Sequence, residues 1–183
     1  DSGIGRAVAI AFAREGADVA ISYLSEDADA RETERQVRDA GRQCVLLKGD
    51  LGKRATCQRI AKKALAALGG VDLLVNNAAY QRTYGDLTEI PDAEFEETFR
   101  VNVFAMFQLC KALLPRMKPG SSILNTASIQ SFDPGAELIA YASSKAAIVS
   151  FTISLAALAI GQGVRVNAVA PGFVQTPMSC VSG

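Results

Sequence analysis

Ile139-Ala-Tyr-Ala-Ser-Ser-Lys-Ala-Ala-Ile148 opens an apolar helical pattern that runs to about Ile160. Tyr141 and Lys145 stand four apart in it, so on a helix they share one face, roughly 5–6 Å between Cβ atoms. An ammonium beside a phenol stabilises the phenolate. The spacing therefore predicts a tyrosine whose pKa falls from about 10 towards neutral, a proton donor and acceptor at physiological pH. Upstream, the strand-like run Ser122-Ile-Leu-Asn-Thr-Ala-Ser128 ends on a hydroxyl placed to hold a substrate carbonyl towards that tyrosine. Taken alone, Tyr-x-x-x-Lys also fits an interfacial tyrosine beside a solvated lysine. The rest of the chain decides between the two.

Downstream, Gly161-Gln-Gly163 ends the helix, and Val164 to Ala170 is a final strand closed by Pro171-Gly172. Upstream, Asp1-Ser-Gly-Ile-Gly5 runs as a glycine-rich turn into a helix that Gly16 closes. Gly3 and Gly5 would let the backbone approach a ligand, and the helix N-terminus would offer N–H groups to a phosphate. A plain turn before a helix explains the same residues. Strands then follow at Asp18–Leu24, Gln43–Lys48 and Val71–Val75, with helices at Ala30–Ala40 and Lys53–Leu68. Asp92 is expected to cap a long helix reaching about Met117, with Phe95, Phe99, Val103, Phe107 and Leu114 at helical spacing. Short apolar strands alternating with helices predict an α/β fold: a doubly wound parallel sheet with helices on both faces, three layers in all. Ligands of such sheets sit beyond the carboxyl ends of the strands. Asp50, Asn77, Ser128 and Pro171-Gly172 gather there.

Composition limits the chemistry. The chain has 183 residues, 49% apolar and 21% charged, which suits one globular domain. Nineteen basic residues balance nineteen acidic ones, and no basic stripe points to nucleic acid. There is no histidine, which removes Ser-His-Asp and Cys-His catalysis and any His-ligated metal site. Cys44, Cys57, Cys110 and Cys180 lack C-x-x-C spacing and read as reduced cytosolic thiols, giving a cytoplasmic expectation. The apolar run Ala146–Ile160 falls short of the roughly 20 residues that span a bilayer, so no membrane role is expected. A helix apolar on most sides is instead buried in the core or against another subunit.

With these pieces placed, the whole chain resembles the short-chain dehydrogenase/reductase family. Asp1 to Gly5 resemble the second half of its Thr-Gly-x-x-x-Gly-x-Gly cofactor turn. Asn76-Asn-Ala-Ala79 resembles its Asn-Asn-Ala-Gly segment, with Ala79 where glycine is usual. Asn102, Ser128, Tyr141 and Lys145 match its catalytic tetrad, and Pro171-Gly-Phe-Val-Gln-Thr176 its Pro-Gly segment. The resemblance implies one Rossmann-type domain over 1–183, truncated at both ends: a first strand before Asp1, and a substrate lid, last helix and seventh strand beyond Gly183.

It further implies NAD(P)-dependent hydride transfer between an alcohol and a carbonyl (aldehyde, ketone or sugar), an enzyme acting on CH–OH groups. Tyr141 would be the general acid/base. Lys145 would depress its pKa and bind the nicotinamide ribose, and Ser128 would orient the carbonyl. Asn102 alone suggests a local kink or an inter-helix hydrogen bond; the resemblance adds a water connecting Lys145 to solvent. The implied cofactor contacts are Ser2, Gly3, Ile4, Gly5, Tyr23, Asp50, Leu51, Asn77, Ala78, Ala79, Tyr141, Lys145, Pro171, Gly172, Val174 and Thr176. Ala79 is expected to be tolerated if its φ stays negative. Tyr80, Gln81, Ile129 and Gln130 would border the substrate pocket.

The second strand's tip, Ser22-Tyr23, carries no carboxylate to select the NAD ribose, which favours NADP over NAD. Glu26 and Asp27 close by argue the other way. A homotetramer or homodimer through helices 92–117 and 139–161 is expected. The competing readings are a catalytically inactive nucleotide sensor of the same fold and a flavodoxin-type phosphate-binding domain.

Overall fold

The computed structural model describes residues 3–175. Ser2, Thr176 and Cys180 lie outside the described residues.

Gly3–Arg14 forms α1, Val19–Tyr23 β1, Asp27–Asp39 α2, Cys44–Lys48 β2, Arg54–Leu68 α3 and Leu73–Asn76 β3. Asp92–Phe99 (α4) passes through a π-helical turn, Arg100–Phe104, into Ala105–Leu113 (α5). Ser122–Thr126 is β4, Ile139–Ala159 α6 and Arg165–Val169 β5. All pairings are parallel: β1 with β2, and β3, β4 and β5 in that order. The expected single sheet thus comes as two ladders, and among the described residues none joins β1 to β3.

Side chains unite the halves. Alternate residues of β1 face opposite ways. Ile21 packs with Ala9 and Ala13 of α1 and Val37 of α2, while Ala20 packs towards α3. Helices therefore cover both faces, as the sequence predicts. α5 closes the gap between the ladders. Its Ala105, Leu109 and Leu113 join Cys57, Ile60, Ala61 and Ala64 of α3; its Met106 and Cys110 join Ile123, Ile148 and Val166. Leu74 of β3 touches both clusters.

Several boundaries differ from expectation, each for a local reason. Pro91, not Asp92, takes the N-cap position of α4, with the extended backbone (φ −65°, ψ 139°) that proline favours. Asp92 becomes the first helical residue, where its charge still suits the helix dipole. α2 begins at Asp27 because Asp27 and Asp29 both favour a first turn. β4 stops at Thr126, leaving Ser128 two residues past the ladder.

The helical stretch Ala136–Gln162, 27 residues containing an 18-residue window of mean hydropathy 1.6, is long and apolar enough to cross a bilayer by length and composition, contrary to what its central run suggests. Its Ala140, Ser144, Lys145, Ile148, Thr152, Leu155 and Ala159 are buried in this fold. Ile153, Leu158 and Ile160 face outward uncovered.

Two helix ends test the packing. Gly69 and Gly163 both adopt the left-handed conformation, at φ 73° and 72°. A Cβ on Gly69 meets open space, whereas one on Gly163 would stand 3.1 Å from Pro119 Cβ and 3.3 Å from its Cα. Gly69→Ala is expected to cost about 1 kcal/mol, and Gly163→Ala about 2–3 kcal/mol, in urea unfolding.

Candidate active site

Three segments meet beyond the carboxyl end of β4. Ser128 caps the short 3₁₀ turn Ile129–Ser131: its Oγ accepts from Gln130 N at 3.2 Å, and its own N–H donates to Ser131 Oγ at 3.4 Å. This reciprocal cap fixes the buried hydroxyl. Ile129 N donates to Pro171 O at 2.9 Å, which brings Pro171-Gly172 alongside. The Tyr141 phenol is near enough to Ser128 for that hydroxyl to favour the phenolate.

The electrostatics differ from the expectation. Burial pushes the Tyr141 phenol above its ordinary value, and the Ser128 hydroxyl pulls it down only in part. The Lys145 ammonium has its own partner nearby. Lys145 Nζ donates to Thr126 O at 2.7 Å and lies 5.4 Å from the centroid of the Tyr141 ring, over its face rather than at its oxygen. Lys145 is 1% exposed, and burial draws its pKa down to about 8.

Asn102 sits in the π-helical turn and is buried. Its Oδ1 accepts from Tyr80 N at 2.7 Å; its Nδ2 donates to Tyr80 O at 3.0 Å and to Ser144 Oγ at 2.9 Å. Kink and inter-helix hydrogen bond are both present, as the residue type alone suggests. Ser144 in turn donates to Tyr141 O at 2.6 Å. Ser144 and Thr126 are the residues that sequence reasoning missed. The signal for Ser144 was its place between Tyr141 and Lys145; Thr126 acts through its carbonyl, which no side-chain pattern reveals.

The glycine turn lies on the neighbouring strand end. Gly3 has φ 58°, and a Cβ on Gly5 would stand 3.1 Å from Asn77 Nδ2, so a side chain at Gly5 would press on the Asn77 amide. Thr126 Oγ1 donates to Asn77 Oδ1 at 3.2 Å. Leu51, Asn77, Ala78 and Asn102 line a cleft between the two ladders. Ala79 keeps a negative φ, since no non-glycine among the described residues has a positive one. Asp50 turns back, accepting from Gly52 N at 2.8 Å and pairing with Lys53 at 3.4 Å.

The tip of β1 carries more charge than Ser22-Tyr23 suggests. Tyr23 donates to Asp27 Oδ1 at 2.9 Å, and Lys48 Nζ lies 2.6 Å from Asp27 Oδ2. A carboxylate does stand at the tip, brought by the start of α2 and neutralised by Lys48. Arg6 pairs with Asp29 at 2.6 Å.

Around the expected substrate side, Ile129 is half exposed, while the Gln130 side-chain Oε1 accepts from Gly135 N at 2.6 Å and closes its own loop. Gln81 is half-buried. Gly172 and Val174 remain exposed.

Lys145 supplies a pH test. Its folded pKa lies below its unfolded value, so the unfolded chain binds more protons between about 8 and 10.5. Stability therefore rises with pH across that window. Relative to Lys145→Met, the cofactor-free protein should gain up to about 3 kcal/mol there, read by urea unfolding at a series of pH values.

The chain is similar to known proteins over nearly its whole length. The family pattern described as short chain dehydrogenase matches residues 1–182. An uncharacterized oxidoreductase, YhxC, of Bacillus subtilis (strain 168) is 48% identical over 97% of this chain and 62% of its own. An NADPH-dependent aldehyde reductase of Arabidopsis thaliana is 41% identical over 97% of this chain and 64% of its own. The chain thus spans a little under two thirds of the length of these relatives. A short chain dehydrogenase from Burkholderia cenocepacia J2315, solved in complex with NADP, superposes with a TM-score of 0.93 at 31% identity, over 97% of this chain and 72% of that one. The chain belongs to the short-chain dehydrogenase family.

Proposed function

We propose that the chain is the dinucleotide-binding and catalytic part of an NADP-dependent oxidoreductase interconverting a carbonyl compound and an alcohol. The observation that carries this reading is the convergence of Ser128, Tyr141 and Lys145 beyond β4. The residues present suit a dinucleotide. Gly3 and Gly5 leave backbone room at the N-terminus of α1, where N–H groups favour a phosphate. At the tip of β1, Lys48 and Tyr23 offset the Asp27 carboxylate, which fits a phosphorylated ribose better than a bare acid would. The NADP complex of the Burkholderia neighbour and the name of the Arabidopsis relative support the same choice, with NAD the alternative.

When bound, the nicotinamide supplies or takes the hydride. The chain handles the proton. Ser128, fixed by its capping box, orients the substrate oxygen. Tyr141 gives a proton to that oxygen during reduction and takes it back during oxidation. Lys145, still largely cationic at neutral pH with a pKa of about 8, keeps one N–H on Thr126 O and has two more donors for the ribose, from where its charge would favour the phenolate. Asn102 holds Tyr80 and, through Ser144, the carbonyl of Tyr141, and would keep the proton path from Lys145 to solvent in shape.

Substrate choice falls to Gln81, Ile129, Gln130 and segments beyond residue 175; an aldehyde is the first class to try. The uncovered Phe104, Phe107, Ile153 and Leu158 on α4–α6 support a homodimer or homotetramer through these helices.

In the full-length protein, Tyr141→Phe is expected to lower kcat for aldehyde reduction at least 100-fold, with the NADPH dissociation constant within about twofold. Unchanged turnover would refute the assignment.

A further inference from the structure

Beneath the site runs a chain of two amides and a hydroxyl that the proposed chemistry does not use. Asn76 and Asn125 are register partners on β3 and β4. Asn76 Nδ2 donates to Asn125 Oδ1 at 2.8 Å; Asn125 Nδ2 donates to Thr152 Oγ1 at 2.9 Å; Thr152 Oγ1 donates to Ile148 O at 2.7 Å. Asn125 is 0% and Thr152 5% exposed. Donors and acceptors alternate in one direction only. With its oxygen taken by Asn76, the Asn125 amide can present only its NH₂ to the helix.

One acceptor of the network is left over. Asn76 Oδ1 is buried without a hydrogen-bond partner. A half-satisfied polar network is worse for the core than aliphatic side chains of the same volume, but it specifies one arrangement. That arrangement concerns the site. Asn125 and Thr126 are neighbours on the strand that leads to Ser128. Asn125 grips α6 at Thr152; Thr126, through its carbonyl, grips α6 at Lys145. Lys145 and Thr152 are seven apart, two turns, on one face of the helix. Two contacts that far apart fix both the rotation of α6 and its position along its axis against β4.

We propose that Asn76, Asn125 and Thr152 are positioning residues. Their clasp sets the helix carrying Tyr141 and Lys145 in register with the strand that delivers Ser128. The inference rests on the proton-transfer reading of Tyr141 and Lys145 above.

Thr152→Val in the full-length protein keeps the shape and removes the hydroxyl. The clasp predicts that the 2.7 Å contact between Lys145 Nζ and Thr126 O opens beyond hydrogen-bond reach in its crystal structure. It predicts a fall in kcat of about 10- to 100-fold with NADPH affinity within about twofold. Thr152→Ser, which restores the hydroxyl, should recover both. If Thr152→Val does not fold, Thr152→Ala is read in the same way. A contact kept at its original length overturns the clasp alone. A contact that opens while turnover holds overturns the positioning role, and with it the part assigned to Lys145.

Discussion

A single ammonium group, sealed from water and held by one carbonyl, governs the geometry of this site. Burying a cation is costly unless it is partnered. Lys145 meets that demand with Thr126 O on one side and the face of the Tyr141 ring on the other. Both partners belong to segments that end at the site. The lysine therefore ties the last residue of β4 to the first turns of α6. The surroundings follow from it: Ser128 comes two residues after Thr126, Ser144 precedes the lysine and holds Tyr141 O, and Asn102 reaches Ser144 from the π-helical turn.

The same burial sets the proton chemistry. It lowers the lysine pKa and raises that of the tyrosine, so both favour their neutral forms more than they would in water. A proton donor that is neutral at rest suits the proposed delivery of its proton to a developing alkoxide. Polarisation from Lys145 then depends on where its ammonium points, and in this structure it points at a backbone oxygen.

Much of this was legible in the sequence. The alternation of short apolar strands with longer helices was sufficient for the layered parallel architecture, and Gly5, Ser128, Tyr141 and Lys145 fell near the strand ends and helix termini expected of them. What stayed hidden were partners distant along the chain. No local pattern links Asn76 to Asn125 or Asn102 to Tyr80, because tertiary packing alone makes them neighbours. The direction of the tyrosine shift was misjudged for a related reason. Spacing put the lysine on the correct face but said nothing of how deeply the phenol is buried, and burial is what raises its pKa. Asp27 argues against NADP from its place in the sequence, but its pairing with Lys48 and Tyr23 was not legible there.

The π-helical turn between α4 and α5 has a consequence for how this region tolerates change. Such a turn holds one residue more than an α-helical turn, so it shifts the angular phase of everything after it by about 100°. Ala105, Leu109 and Leu113 meet α3, and Met106 and Cys110 meet β4, only with that offset in place. Length and phase are thus bound together between Arg100 and Phe104. Swapping one side chain for another there perturbs a contact, whereas losing or gaining a single residue would turn the whole of α5 away from both of its apolar neighbours.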